Sequence, residues 1–463
     1  MKSMIITANK STLFGHIRVP GSKSHTIRAL LLAALAEGTS TIKNPLASAD
    51  CISTFKAIPL LGASVEGSPS ENSTEWIVHG AGSRAHLPSD VVNVGDSGSL
   101  LYFMSPIAAT FAGWTVFTGD DSIRKRPVTH VVDALKQLGA EAYITRPDSD
   151  SCPMIIKGPI SAVNEVTTDG RLSQYVSGMM MAATRLDGTL RIHLTDPKET
   201  PYLTMTRKWL ESLGATVRMS DDFKEIEVDG NRSIPHFERT IPSDWEAVAF
   251  PLIAALITDS ELVIDGVDGT GTQGDDAIVK VLQSVGADIV WNKEAETLTV
   301  RGMAKAAGTK GYLSTKNLPN GELRVNLSGF PDAVCALAVI ACFIDGTTVL
   351  EDLGVCRKKE TDRIAVLHKE LEKLGAHIEE GSDYLVIHGH CPVKSDGAPN
   401  EAFTLHGATV ESYGDHRVAM ALSCAGLALG GISVKDAECC SVSFPHFFEV
   451  MAKNGASFKT ESL

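Results

Sequence analysis

One pattern recurs six times along the chain: a helix-like stretch ends in Gly-Ala and gives way to an extended segment. The copies are Leu61-Gly62-Ala63, Leu138-Gly139-Ala140, Leu213-Gly214-Ala215, Val285-Gly286-Ala287, Leu374-Gly375-Ala376 and Asn454-Gly455-Ala456. They recur every roughly 70 to 90 residues, too long for a solenoid repeat, so each copy is large enough to be a small α/β layer of its own. Glycine just past a periodic helix is the expected left-handed terminator. The β-prone residues that follow, such as Thr216-Val217-Arg218 and Asp288-Ile289-Val290, read as a returning strand.

A second stretch precedes each of these and is apolar nearly all round: Ala29 to Ala36, Leu100 to Ala112, Tyr175 to Thr184, Ala247 to Ile257, Ala333 to Ile344 and Val418 to Leu429. A helix without a polar face belongs inside a layered structure, whereas the Gly-Ala helices, such as Ile364 to Leu374, are amphipathic and outward. Each repeat therefore reads as strand, buried helix, strand, amphipathic helix and two strands. The apolar runs are shorter than the ~20 residues that a bilayer span needs, so they are core segments.

Composition narrows the partners. A chain of 463 residues with 43% hydrophobic and 21% charged residues is ordinary globular material, and its length calls for about two to four domains. With 42 Lys+Arg against 56 Asp+Glu the net charge is -14. Such a surface is repelled by nucleic-acid phosphates and anionic bilayers alike, which argues against both as partners. Nine scattered cysteines without a Cys-x-x-Cys pair suit a reducing cytoplasm. The first fifteen residues carry neither a signal-peptide core nor a transit peptide.

The chemistry sits before the helices. The lead-ins to the buried stretches are Ser22-Lys23-Ser24-His25, Gly95-Asp96-Ser97-Gly98-Ser99, Arg171-Leu172-Ser173-Gln174, Ser243-Asp244-Trp245-Glu246, Phe330-Pro331-Asp332 and Tyr413-Gly414-Asp415-His416-Arg417. A helix N-terminus presents unpaired N–H groups and about half a positive charge, so several aimed at one cleft make an anion site. Serine and aspartate there also serve as plain caps, but Lys23, Gln174 and Arg417 are not cap residues. Before the amphipathic helices, Ser122-Ile123-Arg124-Lys125-Arg126-Pro127 and Arg357-Lys358-Lys359-Glu360-Thr361-Asp362-Arg363 concentrate positive charge in an acidic chain. A run of this kind can be a solvated face. Both runs occupy the same place in the repeat, which lets them face one pocket and hold carboxylate or phosphate oxygens.

Other motifs count for little. Gly269-Thr270-Gly271-Thr272-Gln273-Gly274 matches a dinucleotide fingerprint, but the repeat explains a polar loop there better. His388-Gly389-His390-Cys391 lacks a carboxylate at ligand spacing and reads as ordinary polar strand residues. The vicinal Cys439-Cys440 reads as packing. Hydrolase, zinc-protease and Walker signatures are absent from the sequence.

Over nearly its whole length the sequence resembles the enolpyruvyl transferases, in the branch that uses shikimate 3-phosphate. The resemblance rests on Pro20-Gly21-Ser22-Lys23-Ser24 with Arg28, Gly119-Asp120 with the basic run that follows, Ser173-Gln174, Pro201-Tyr202, Gln273-Gly274-Asp275, Pro331-Asp332-Ala333, Lys359-Glu360-Thr361-Asp362-Arg363, Gly414-Asp415-His416-Arg417 and Ser443-Phe444-Pro445. It implies a two-domain inside-out α/β barrel, each domain three βαβαββ repeats with buried parallel helices whose N-termini meet at the interdomain cleft. The domains would be residues 20–241 and residues 1–19 with 242–463. A double crossing near Pro20 and Ile241 implies a hinge, and closure on acceptor binding.

The implied reaction moves the enolpyruvyl group of phosphoenolpyruvate to the 5-hydroxyl of shikimate 3-phosphate through a tetrahedral adduct that expels phosphate. Neither metal nor organic cofactor is expected, and the resemblance implies a cytoplasmic monomer. Lys23, Gly98, Arg126, Gln174, Arg363 and Arg417 would hold phosphoenolpyruvate. Ser24, Arg28, Ser173, Tyr202, Asp332 and Lys359 would hold the acceptor. Asp332 would be the base on the acceptor hydroxyl, with Glu360 and Lys23 moving protons at the methylene and leaving group; the division of these steps stays open.

Several positions depart from the family pattern. Its Asn-Ala-Gly-Thr segment and following Arg are here Asp96-Ser97-Gly98-Ser99 and Tyr102, and the lysine that some members carry before Ser-Phe-Pro is Val442. Serines expected around the acceptor phosphate fall at Leu172 and Glu199, leaving Ser173. A carboxylate beside a phosphate costs a few kcal/mol at an effective dielectric of about 20, unless Glu199 turns away or pairs with Lys198. Two further readings therefore stand beside the first: a transferase for another alcohol, and a silent ligand-binding homologue. A UDP-N-acetylglucosamine acceptor is disfavoured, because the loop that carries that branch's reactive cysteine reads Asp121-Ser122-Ile123-Arg124.

Overall fold

The structure is a computed structural model that describes residues 4–70, 73–160, 164–230, 233–302 and 312–462. It divides into two compact units, Gly21–Pro242, and Met1–Pro20 with Ser243–Leu463. Each unit has its own hydrophobic core.

In the unit Gly21–Pro242 the helices are α1 (Lys23–Leu35), α2 (Ala49–Ala57), α3 (Gly98–Ala108), α4 (Thr129–Gln137), α5 (Ser173–Ala183) and α6 (Thr200–Ser212). The other unit carries α7 (Trp245–Leu256), α8 (Ala277–Ser284), α9 (Val334–Ala341), α10 (Arg363–Glu372), α11 (His416–Leu429) and α12 (Phe447–Lys453). The odd-numbered helices are the buried ones, as the all-round apolar pattern requires: every residue of α9 is buried, and every residue of α1 from His25 on. In the even-numbered α4 only Val131, Val132, Ala134 and Leu135 are buried, one stripe of an amphipathic helix.

The sheets repeat one topology. Around α5 and α6 the strands Glu165–Thr168 and Thr189–Leu194 run parallel, Glu225–Asp229 lies antiparallel beside the second, and Val217–Met219 pairs antiparallel at the edge. Taken in sequence as strands one to four, their spatial order is 1-2-4-3, and the repeat containing α9 and α10 has the same order. The unit formed by both chain ends is completed by the N-terminal strands. Phe14–Arg18 runs parallel to Glu261–Asp265, and Met4–Asn9 is inserted between Ile432–Lys435 and Ser457–Ser462.

Two differences from the sequence expectation concern the helix starts. All the buried helices but α9 begin two to six residues earlier than the apolar runs, so Lys23, Ser24, Ser173, Gln174, His416 and Arg417 lie in first turns. Polar residues are compatible with a first turn because its N–H groups have no intrahelical partner. Genuine side-chain caps occur at Ser97, Asp244 and Asp415, which accept from Leu100, Glu246 and Arg417 backbone N–H groups.

The six Gly-Ala glycines all adopt the left-handed conformation, with φ between 87° and 103°. A second glycine signature appears only in three dimensions. At Gly80, Gly158, Gly230, Gly302 and Gly389 an added Cβ would stand 1.7–2.3 Å from a backbone carbonyl oxygen at or just past the C-terminal end of the repeat's buried helix. The fourth strand ends directly against that helix, and only glycine permits the approach. Gly214 has open space around its missing Cβ, so Gly214→Ala should lose only the left-handed strain, about 1 kcal/mol. Gly230→Ala, in the same unit and 2.1 Å from the Leu186 carbonyl, should lose about 3 kcal/mol or more. Urea unfolding of the two variants side by side measures the difference.

Candidate active site

In the unit of both chain ends the lead-ins of α7, α9, α10 and α11 converge on one charged cluster. Arg363, the first residue of α10, has no exposed side-chain surface. Its Nε and Nη2 form a bidentate pair with Asp415 at 2.8 and 3.2 Å, its Nη2 also donates to Glu360 at 2.7 Å, and its Nη1 donates to Asp332. Burial alone would lower the guanidinium pKa, but Asp415, Glu360 and Asp332 outweigh it and hold Arg363 well above its ordinary value. Asp332 is shared further. Arg417 donates to its Oδ1 at 3.1 Å, and Lys359 stands 3.5 Å from its Oδ2. Arg417 is also ion-paired with Glu246. Three cations thus face four carboxylates, all at least three-quarters buried.

Sequence reasoning found Asp332, Lys359, Glu360, Arg363 and Arg417 as site residues, and the structure brings all five together. It did not select Asp415 or Glu246, although both lie in the helix lead-ins. Of the basic run, Arg357 turns the other way, to Asp362, Glu380 and the Ser382 and Gly381 carbonyls, and Lys358 is exposed.

In the unit Gly21–Pro242 the expected residues form two groups. The first surrounds the starts of α1 and α3. Lys23 Nζ lies 3.6 Å from Asp50, with both side chains mostly buried. Arg126 packs its guanidinium on Gly98, where an added Cβ would come within 2.6 Å of Nη1. The loop before Arg126 is set by Asp120, whose Oδ1 accepts from Ser122 N, Ser122 Oγ and Ile123 N. Tyr102, where the family pattern has a cation, donates its hydroxyl to the Pro127 carbonyl at 2.7 Å and so holds the far side of that loop. The carbonyl oxygen of the Gln174 side chain is buried without a hydrogen-bond partner among the described residues.

The second group lies around the starts of α5 and α6. Ser173 gives both its backbone N–H (3.1 Å) and its hydroxyl (2.9 Å) to one oxygen of Glu199, which is only 2% exposed. Glu199 therefore turns inward onto α5, and Lys198 lies 3.6 Å from Asp196. Arg28 is 1% exposed and donates to Thr206, Ser177 and the Ser24 and Tyr202 carbonyls, with its guanidinium 4.7 Å from the Phe103 ring centre. Burial lowers its pKa to about 9, against the raising effect of Tyr202 and Glu199. Its neighbours Ser24 and Tyr202 flank it at the start of α1 and on α6.

Away from these groups, a cavity of about 660 Å³ is lined by the C-terminal residues Leu256 and Leu427 to Leu429 of α7 and α11. None of the expected site residues lines it. The fingerprint-like loop near Gly271 is structural: Gln273 accepts from Trp245 N–H at the start of α7 and donates to the Ser243 carbonyl and Asp268.

Asp96 makes the first group pH-sensitive. Burial, then repulsion from Asp50 and Asp120, push its carboxyl up to about 6, while its own backbone hydrogen bond and Lys23 act the other way. The folded chain holds this proton more tightly than the unfolded chain. The associated stability is complete below pH ~4 and is lost as pH rises through about 6. Asp96→Asn should therefore melt higher than the parent at pH 7.5, with the gap closing towards pH 4.5, as scanning calorimetry at the two pH values would report.

Residues 7–451 match the family model described as EPSP synthase (3-phosphoshikimate 1-carboxyvinyltransferase). A relative named 3-phosphoshikimate 1-carboxyvinyltransferase from Ruminiclostridium cellulolyticum is 36% identical over 98% of this chain and 100% of its own. One of the same name from Halobacterium salinarum is 35% identical over 98% of each chain. Among solved structures, an EPSP synthase from Acinetobacter baumannii aligns over 100% of both chains with a TM-score of 0.78 and 24% identity. The enolpyruvyl transferase NikO from Streptomyces tendae aligns over 100% of this chain and 99% of its own with a TM-score of 0.75 and 17% identity. These two share the fold under different names, so the architecture alone does not select the acceptor. The full-length match to the family model and to relatives above 30% identity does more than the shared fold: the chain belongs to the EPSP synthase (3-phosphoshikimate 1-carboxyvinyltransferase) family.

Proposed function

We propose that the chain transfers the enolpyruvyl group of phosphoenolpyruvate to the 5-hydroxyl of shikimate 3-phosphate in the shikimate pathway. The observation that carries the residue assignment is Asp332, a carboxylate set among Arg363, Arg417 and Lys359. These three contacts fix the carboxylate in place, the first requirement of a group that is to take a proton from the acceptor hydroxyl.

In the addition step the acceptor oxygen bonds to C2 of phosphoenolpyruvate and its proton passes to Asp332, while Glu360 or Lys23 supplies a proton to the C3 methylene. In the elimination step the C2–O bond to phosphate breaks, phosphate leaves, and C3 returns its proton. Arg363, Arg417, Lys23, Arg126, the Gly98 backbone and Gln174 hold phosphoenolpyruvate. The cluster around Asp332 has one more carboxylate than cation, so it cannot neutralise a trianion unaided.

Ser24, Arg28, Ser173, Tyr202 and Lys359 serve the acceptor, and here Glu199 has a consequence. It already occupies the Ser173 hydroxyl and N–H, so an acceptor phosphate must displace it. This favours a second reading, in which the acceptor is a different alcohol with no phosphate at that place. Phosphate release from phosphoenolpyruvate separates the readings when shikimate 3-phosphate, shikimate and UDP-N-acetylglucosamine are offered in parallel. Release with shikimate 3-phosphate alone supports the first reading. No release with any of them, while phosphoenolpyruvate still binds, overturns it in favour of another alcohol or a silent homologue.

We place the enzyme in the cytoplasm as a monomer, without a nucleic-acid or membrane partner. The nine scattered cysteines without a Cys-x-x-Cys pair and the net charge of -14 support this reading.

Two variants test the assignment. Asp332→Asn should lower kcat by about 10²- to 10⁴-fold in steady-state kinetics while phosphoenolpyruvate still binds in a fluorescence titration. Glu199→Ser should lower KM for shikimate 3-phosphate by on the order of tenfold and leave KM for phosphoenolpyruvate within about twofold, because only the acceptor competes with that carboxylate.

A further inference from the structure

The outer face of one sheet carries a cluster that the transfer reaction does not use. Strands His377–Glu380 and Leu385–Gly389 are antiparallel, with His377 directly opposite His388. Glu379, two residues along from His377, lies on the same face and diagonal to His388. The two imidazole rings are 4.7 Å apart between centres, and His388 Nε2 lies 3.2 Å from Glu379 Oε1. One ligand atom from each of the three residues falls within 4.8 Å of the others.

We propose that His377, Glu379 and His388 form a peripheral site for a divalent first-row metal ion, zinc by preference, that pins an edge strand to its sheet. Two imidazoles and a carboxylate are a zinc donor set, with water completing the coordination. Bonds of about 2.0–2.2 Å at tetrahedral angles put neighbouring ligand atoms roughly 3.3 Å apart, close to the observed Nε2 to Oε1 separation. Only His377, a solvent-exposed side chain, has to swing in. The Nδ1 of His388 lies 3.1 Å from Thr347 Oγ1 on the next strand. With metal on Nε2, Nδ1–H donates to that hydroxyl, an outer contact that fixes the ring. His390 is not part of the set, since its Nδ1 lies 3.4 Å from Asp345.

Along the sequence, His388 and His390 have no carboxylate at ligand spacing. The carboxylate and second imidazole come instead from the neighbouring strand, where strand register rather than sequence spacing sets proximity. His377–Glu380 is the sheet's edge strand, and of its four residues only Ile378 is buried. An edge strand with so little burial opens readily. A metal bridging it to Leu385–Gly389 would close it.

The test is isothermal titration of zinc chloride into metal-stripped, tag-free full-length chain, alongside His377→Ala and Glu379→Gln. The expected result is one site of micromolar or tighter affinity that weakens at least tenfold in each variant, with kcat of the metal-free variants equal to the parent. Zinc should also slow amide exchange across residues 377–380 in the parent and not in Glu379→Gln. Both side chains are exposed, so matching melting curves without zinc will establish that the variants fold; if His377→Ala fails to, Glu379→Gln carries the test. The proposal is overturned if the parent takes up no zinc, or if both variants bind it as the parent does, which would place the ion elsewhere.

Discussion

Burying the Arg363 guanidinium is the constraint around which the charged cluster is organised. A guanidinium without contact with water is tolerable only when its charge and its donors are matched. Asp332 precedes α9, Arg363 opens α10, and Asp415 caps α11, so the ion pairs tie the starts of three helices to one point. Removing any one of these carboxylates would leave a buried guanidinium donor without its partner and loosen the tie between the helix starts. The same bonds hold Asp332 and Glu360 in place relative to each other. Stability and the position of the proposed base therefore rest on the same contacts.

Arg28 provides the comparison in the other unit. It is as deeply buried and also joins several helices, reaching Ser177 of α5, Tyr202 and Thr206 of α6 and the Phe103 ring of α3. Its direct hydrogen-bond partners are neutral, however, and burial pulls its pKa down to about 9, whereas carboxylates push that of Arg363 up. The two arginines thus solve one burial problem in opposite ways. A guanidinium held by neutral hydroxyls and carbonyls keeps a net positive charge, and an incoming anion can respond to that charge. Arg363 has no such surplus, and an anionic substrate must compete with Asp332 for it.

Much of this was legible in the sequence because it is carried by local pattern. The Gly-Ala terminators, the all-round apolar helices and the order of elements within each repeat follow from helix and strand periodicity, whereas the 1-2-4-3 order of the strands in space does not, and the helix lead-ins mark most of the charged cluster. What the sequence did not reveal depends on groups distant in the chain. Asp415 looks like any cap until Arg363 is found beside it. The glycines at the ends of the fourth strands, such as Gly230 and Gly302, have no sequence context that announces a carbonyl 1.7–2.1 Å from a missing Cβ. Whether Glu199 faced outward or inward also required coordinates, because its residue type alone favours solvent.

The departures from the family pattern fall unevenly, and physical chemistry gives a reason. In the proposed assignment, the groups that hold phosphoenolpyruvate must neutralise a trianion and stabilise charge that shifts during the reaction, which leaves little latitude in Lys23, Arg126, Arg363 and Arg417. Around the acceptor the requirement is recognition, which can be met by more than one arrangement. Glu199 fills the place of a serine by satisfying the same donors an acceptor phosphate would use, the Ser173 hydroxyl and the first N–H of α5. Without substrate this gives the α5 N-terminus the negative charge its dipole favours. When a phosphate enters, the like charges must separate, and the energy that kept Glu199 in place is subtracted from acceptor binding. On the proposed assignment, Glu199 stabilises the empty enzyme at the expense of acceptor affinity, while the groups assigned to phosphoenolpyruvate are left untouched.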